Sequence, residues 1–326
     1  MRYKVIYLFI FTLIITQFSG CNTESKINNP RTYTHFCFDT VCTITIYSNK
    51  KDNETEIIND CFHLCDKYDK LFNKHNHESD IYKINSGTSK KNRTTDSESN
   101  SVIISSETAK IINKSKYYSN LSNGAFDITV SPITDLWDIN NNPHIPSKSE
   151  IAKALKYVNY KDIILKDKKV KLSHKNQAID LGGIAKGYVA DKIRSFLKEK
   201  KISSAIINLG GNILTIGNRN GKDFNIGVMK PFGKNAQDYS AKIKITDKSV
   251  VTSGIYERYF KQDDKIYHHI LDPKTGYPVD NNLYSVTIIS DKSETGDALS
   301  TSAFVLGLSK GLSLINNLDN TYAVFI

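Results

Sequence analysis

Ala178-Ile-Asp-Leu-Gly-Gly-Ile-Ala-Lys-Gly-Tyr-Val-Ala-Asp191 is the stretch on which the reading of this chain turns. Ala178 to Leu181 reads as the end of a strand, and Gly182-Gly183 as a turn that lets another group come close to the backbone. Beyond it Ile184, Tyr188, Ala190, Ile193 and Leu197 recur at helical spacing, which puts Lys186 in the first turn of a helix. Free backbone N–H groups and the positive end of the dipole make such a helix start a natural seat for a phosphate or pyrophosphate. Glycines between strand and helix also serve as plain packing devices, and the stretch alone leaves both readings open. Its spacing fits neither a P-loop nor the dinucleotide fingerprint.

Working outward, Ala205-Ile-Ile-Asn-Leu-Gly-Gly-Asn-Ile-Leu214 repeats the logic of a strand followed by paired glycines. Toward the C-terminus, Asp297 and Thr301 stand four apart at the start of an apolar helix, so both oxygens project from one face. A carboxylate and a hydroxyl stacked in this way suit a hard cation such as Mg²⁺; N-capping by Asp297 explains the same residue equally well. Upstream, Gly124-Ala-Phe-Asp-Ile-Thr-Val-Ser-Pro132 holds an aspartate among strand formers, either a ligand contact or an Asx turn. Phe36 to Tyr47 alternates and reads as one strand, and Ile57, Ile58, Cys61, Leu64, Cys65, Tyr68, Leu71 and Phe72 make the apolar stripe of a helix. His75, His77, Glu78, Ser79 and Asp80 read as a solvated loop rather than a metal site. The polar stretch from Ser86 to Ser101 reads as a surface loop.

The chain has 326 residues, enough for a substantial core, and 44 basic against 34 acidic residues, a formal charge of +10. Because the basic residues are dispersed, a lysine-rich surface explains them better than nucleic-acid binding, and such a surface also suits anionic lipid. At the N-terminus Arg2 and Lys4 precede an apolar run from Val5 to Ile15 that ends in Phe18-Ser19-Gly20-Cys21. The run is too short to span a bilayer and has the form of an export signal. It resembles a bacterial lipoprotein signal, with residues 1–20 removed, Cys21 lipidated, 21–30 a tether and 31–326 a single domain. Cys37, Cys42, Cys61 and Cys65 are confined to one part of the chain and do not form a disulfide framework.

Five motifs in order resemble those of the FAD:protein FMN transferases, the ApbE family of flavin-trafficking proteins. They are Gly124-Ala-Phe-Asp-Ile-Thr-Val-Ser-Pro, Ile179-Asp-Leu-Gly-Gly-Ile-Ala-Lys-Gly-Tyr, Asn208-Leu-Gly-Gly-Asn, His269-Ile-Leu-Asp-Pro-Lys-Thr-Gly-Tyr-Pro and Asp297-Ala-Leu-Ser-Thr. The resemblance implies an α+β fold with largely antiparallel sheets flanked by helices and an FAD cleft between sub-lobes. It implies that Gly183, through its carbonyl, Asp297 and Thr301 hold Mg²⁺. Ala125, Phe126, Asp127, Asp180, Lys186 and Leu271 would then contact FAD, with a further flavin contact at Phe38, where the family has methionine. His269 matches the family's proposed base and, with Asp297, is the expected catalytic pair. The implied reaction is Mg²⁺-dependent transfer of FMN from FAD to a threonine or serine hydroxyl of an exported or membrane redox protein, with release of AMP. One alternative uses the same residues, an FAD pyrophosphatase in which water replaces the hydroxyl; against a second, a lipid-anchored flavin binder without turnover, stand Asp297 and Thr301, since simple flavin binding needs no metal. The expected location is the outer face of the cytoplasmic membrane.

Overall fold

In the computed structural model, which describes residues 30–47, 49, 51–89, 101–235 and 237–326, Cys42, Ile44 and Ile46 all lie on one fully buried face. They belong to β2 (Thr40–Ile46), which pairs antiparallel with β1 (Arg31–Cys37). The stretch expected as one strand from Phe36 to Tyr47 is therefore a hairpin. Phe38 and Asp39 form its two-residue turn, with φ of 53° and 55°. Both are left-handed because that backbone matches the twist of the flanking strands.

The chain continues through α1 (Glu54–Phe72), α2 (Asp80–Ser89), β3 (Val102–Ile103), α3 (Ser106–Leu121), α4 (Ser131–Trp137) and α5 (Lys148–Leu155). Next come β4 (Ile163–Lys166), β5 (Lys169–Leu172), α6 (Ala185–Glu199), β6 (Ala205–Leu209), β7 (Asn212–Ile216), β8 (Phe224–Met229), β9 (Tyr239–Ile245) and β10 (Ser249–Gly254). The last elements are β11 (Tyr259–Gln262), β12 (Lys265–His268), β13 (Ser285–Ser290), α7 (Ser293–Asn316) and β14 (Tyr322–Phe325).

Among the described residues, seven strands form the main sheet in the order β1-β2-β6-β7-β10-β13-β14, every neighbouring pair antiparallel. The smaller sheets β3-β5-β4, β8-β9 and β11-β12 are antiparallel as well. Helices α1, α6 and α7 pack together against the main sheet. Ile44, Ile207, Leu214 and Ile288 from the sheet meet Ile58, Cys61, Tyr188, Ile193 and Phe304 from the helices. Burying each large apolar side chain contributes about 1.5–3 kcal/mol. Helix α7 is long and apolar enough to cross a membrane by length and composition. Its packing on β10 and β13 accounts for that composition, and Gly307 (φ 77°) interrupts it.

Three local expectations give way. Ala178 to Leu181 is extended but belongs to no strand; the Asp180 N–H donates instead to the Ile128 carbonyl at 2.7 Å. Gly124 to Pro132 is a turn, a 3₁₀ segment Ile128–Val130 and the start of α4, because Asp127 caps the 3₁₀ turn. Asp80 to Ser89 is helical rather than loop, and the Asp80 carboxylate accepts from the Ser105 N–H and the Thr108 hydroxyl. Cys21, the signal and nearly all of the tether lie outside the described residues.

Candidate active site

Two helix starts, α6 and α7, cross at the glycine-rich stretch and cap one another. Asp191, in α6, accepts from the Ser293 and Glu294 N–H groups at 3.1 and 3.0 Å, and so satisfies the first turn of α7. Asp297, in α7, accepts from the Gly187 N–H through Oδ2 at 2.8 Å, and so satisfies the first turn of α6. The crossing requires glycine at 187: a Cβ there would lie 2.4 Å from the Ser293 carbonyl oxygen. Asp297 is therefore not the cap of its own helix, which starts at Ser293. Its capping function is directed at the other helix.

Gly187 stands in the first turn of α6, where its N–H has no intrahelical partner, and Asp297 supplies the acceptor. The Gly183 carbonyl, just before the helix, accepts no backbone hydrogen bond among the described residues. The Asp297 carboxylate on the Gly187 N–H, the Thr301 hydroxyl one turn along α7 and the Gly183 carbonyl four residues before Gly187 are all oxygen donors. This donor set is what a hard divalent cation takes. Thr301 Oγ1 is held 3.2 Å from Ser253 Oγ on β10, which fixes the hydroxyl. Burial raises the Asp297 pKa, while the Lys186 ammonium and the Gly187 N–H act to lower it. Asn212 also favours the carboxylate; its Oδ1 accepts from Ser293 Oγ, and its buried Nδ2 closes no hydrogen bond of ordinary length. The residues present thus fit Mg²⁺. Among the described residues there is no cluster of three or more His, Cys, Asp or Glu side chains.

Adjacent positions on a strand face opposite ways, and this separates the two histidines. His268 is buried and saturated: Nε2 donates to the Val279 carbonyl at 2.9 Å, Nδ1 accepts from the Ile270 N–H, and the ring packs edge-on to Phe304. His269 is only partly covered. Its Nδ1 donates to the Arg258 carbonyl at 3.2 Å, which leaves Nε2 as a free acceptor. Burial, the Arg258 charge and, more weakly, Lys186 push the imidazole down to about 3, so it is neutral at physiological pH. The Lys186 ammonium, whose Nζ donates to the Gly182 carbonyl at 3.4 Å, acts electrostatically on both Asp297 and, more weakly, His269.

Other expected ligand residues are used differently. Asp127 accepts from the Thr129 N–H (2.7 Å), the Thr129 hydroxyl (2.6 Å) and the Tyr160 N–H (2.9 Å). Its side chain is thus occupied by the fold, as the Asx-turn reading has it, and is not presented to a ligand. Asp180 closes a turn on the Gly182 N–H and pairs with Lys74 at 2.8 Å. Burial acts to raise the Asp180 pKa, but Lys74 outweighs it and holds the carboxylate below its usual range. Leu271 is buried in a separate cluster with Ile133, Trp137 and Ile151, leaving its main chain as what it can offer. Ala125 and Phe126 are buried; the Phe126 ring lies under Gly183, where a Cβ would sit 3.0 Å from its edge. Phe38 occupies the hairpin turn beside Thr40, against which Gly210 packs.

Sequence reading passed over Lys74, Asn212, Ser253 and Asp191. Only Asp191 carries a local signal: it follows Gly187 by four residues, on the helix face that meets α7.

Fold and site together define an α+β protein in which two helix starts cap one another at a glycine-rich turn. The ApbE family profile matches residues 38–326, and the chain belongs to that family. It is 37% identical over 268 residues to the FAD:protein FMN transferase of Klebsiella pneumoniae strain 342, covering 81% of this chain and 80% of that protein. The FAD:protein FMN transferase of Treponema pallidum is 29% identical over 305 residues, covering 88% and 82%. The crystal structure of the ApbE protein from Thermotoga maritima superposes with a TM-score of 0.81 at 30% identity, over 91% of this chain and 94% of that one. These relatives bear out the fold class expected from the five motifs.

Proposed function

We propose that this protein transfers the FMN half of FAD to a hydroxyl of an acceptor protein, releasing AMP. The observation that carries the reading is the hydrogen bond from the Gly187 N–H to Asp297, which sets a carboxylate, with the Thr301 hydroxyl one turn along α7, against the glycine-rich start of α6. Gly183, Asp297 and Thr301 would hold Mg²⁺, which would supply charge neutralisation for the diphosphate of FAD. Lys186 and the N-terminus of α6 add positive charge on the same side. His269 Nε2 accepts the proton of a threonine or serine hydroxyl as that oxygen bonds to the FMN-side phosphorus and the bond to the AMP phosphate breaks. A base with a pKa near 3 is weak, and the anionic diphosphate supplies the correction: bound close to Arg258 and Lys186, it offsets the cations that depress His269.

The test is to incubate the purified protein with FAD, Mg²⁺ and membranes carrying candidate acceptors. AMP release together with FMN-bearing acceptor peptides is the expected result. AMP with FMN only in solution would favour the pyrophosphatase reading, and absence of AMP would reduce the protein to a flavin binder. The acceptor class proposed is an exported flavoprotein or a subunit of a membrane redox complex. Lipidation at Cys21 would place the enzyme beside it on the outer face of the cytoplasmic membrane, where two or three acyl chains are needed for stable anchoring. A Cys21→Ser variant that stays membrane-bound with unchanged mass would overturn the anchor.

A further inference from the structure

The edge hairpin holds two thiols that the reaction does not use. Cys37 ends β1 and Cys42 lies in β2; the register sets Cys37 opposite Thr40 and Cys42 opposite His35, so the two are diagonal neighbours on one face. Their sulfur atoms are 3.2 Å apart, and both side chains are buried. Between them lies the Phe38-Asp39 turn with positive φ at both residues, a conformation that a bulky phenylalanine adopts only when its surroundings impose it. The turn borders the site. A Cβ on Gly210 would meet Thr40 at 2.6 Å, and the Gly210 N–H donates to the Val41 carbonyl at 3.3 Å. The Gly210-Gly211 turn runs directly into Asn212, beside Asp297.

We propose that Cys37 and Cys42 are a redox-active dithiol that closes to a disulfide across the β1–β2 hairpin and locks the Phe38-Asp39 turn at the rim of the site. The oxidant is a disulfide of the glutathione type. One cysteine thiolate attacks it, forming a mixed disulfide and expelling one thiol; the second cysteine then displaces the other. The two protein thiols lose two hydrogens in all, and the two expelled thiols carry them. In the closed hairpin the contact with Cys37 and burial push the Cys42 thiol up, so little thiolate is present. The exchange therefore belongs to the folding chain, or to moments when the edge strand β1 peels away. Cys65 of α1 also contacts Cys37 and is the competing partner.

The test uses the whole chain, refolded in oxidised or in reduced glutathione, then alkylated and digested with trypsin without reduction. Cys37 and Cys42 share the tryptic peptide spanning 32–50, which has no internal lysine or arginine. After oxidising refolding this peptide is expected unalkylated and two hydrogens light, with Cys61 and Cys65 alkylated. The oxidised protein is expected to melt roughly 2–4 °C higher, an advantage abolished by dithiothreitol and retained in Cys65→Ser. Full alkylation of the 32–50 peptide, or its linkage to a peptide bearing Cys65, would overturn the pairing. A disulfide that forms without moving the melting temperature would overturn the locking function.

Discussion

The α6–α7 crossing and the turn from Gly124 to Trp137 each place a buried aspartate in a segment that resembles a flavin-transferase motif. The two carboxylates nevertheless do opposite things. Asp127 receives three hydrogen bonds, two from Thr129 and one from Tyr160, and its acceptor capacity is consumed by local chain geometry. Asp297 accepts across two helices from Gly187 through one oxygen, and Thr301 stands one turn along from it. Burial raises the pKa of both. Burial therefore does not separate the two carboxylates; the number of acceptor sites already used does.

The sharpest way to break this comparison is Asp297→Asn. Asparagine still accepts from the Gly187 N–H, so the melting temperature should hold, while AMP release falls by on the order of a hundredfold or more. Excess Mg²⁺ should restore part of it. A normal rate with unchanged Mg²⁺ dependence would make Asp297 a cap of the same kind as Asp127. Next in size, His269→Ala is expected to slow transfer by roughly a hundredfold with FAD binding retained. His268→Ala should instead lower stability, since its ring holds Val279 and Phe304; an inactive but stable His268→Ala protein would reverse the two assignments.

Asp127→Asn supplies the other arm. Losing charge-assisted bonds to the Thr129 hydroxyl and the Tyr160 N–H should cost about 1–3 kcal/mol in denaturant unfolding, with the rate per folded molecule near wild type. A collapse of that rate without loss of stability would put Asp127 back among the ligand contacts. The smallest effect concerns pH. Both histidines sit below the ordinary 6.5, His269 at about 3, so the unfolded chain binds more protons in that window. Stability should thus fall as pH drops below about 6.5, by at most about 1.4 kcal/mol per pH unit for each histidine. Melting curves from pH 7 to pH 5 should show a shallower slope in His269→Ala than in wild type.

Local pattern explains what could be read beforehand. The stripe of α1, the strand and paired glycines from Ala205 to Gly211, and the helical spacing after Ile184 each record a local burial or turn requirement, and all appear in the structure. Phe38-Asp39 hid a turn because it lacks the glycine or asparagine that such a hairpin normally shows. The site was legible as residues but not as partnerships. Lys74 pairs with Asp180, Asp191 caps Ser293 and Asp297 caps Gly187; the partners in the latter two lie 102 and 110 positions apart. No window of neighbouring residues encodes such pairs.

The reciprocal caps also set an order of assembly. Chain made from its N-terminus has the start of α6 early, but the carboxylate that completes it comes only at residue 297 of 326. Until then the Gly187 N–H is one of the unsatisfied donors of a helix start. Arrival of α7 supplies its acceptor, and the same event brings Asp297 to the glycine turn. Contacts of such long range form late. A chain made only as far as α6 therefore lacks the carboxylate that completes this helix start.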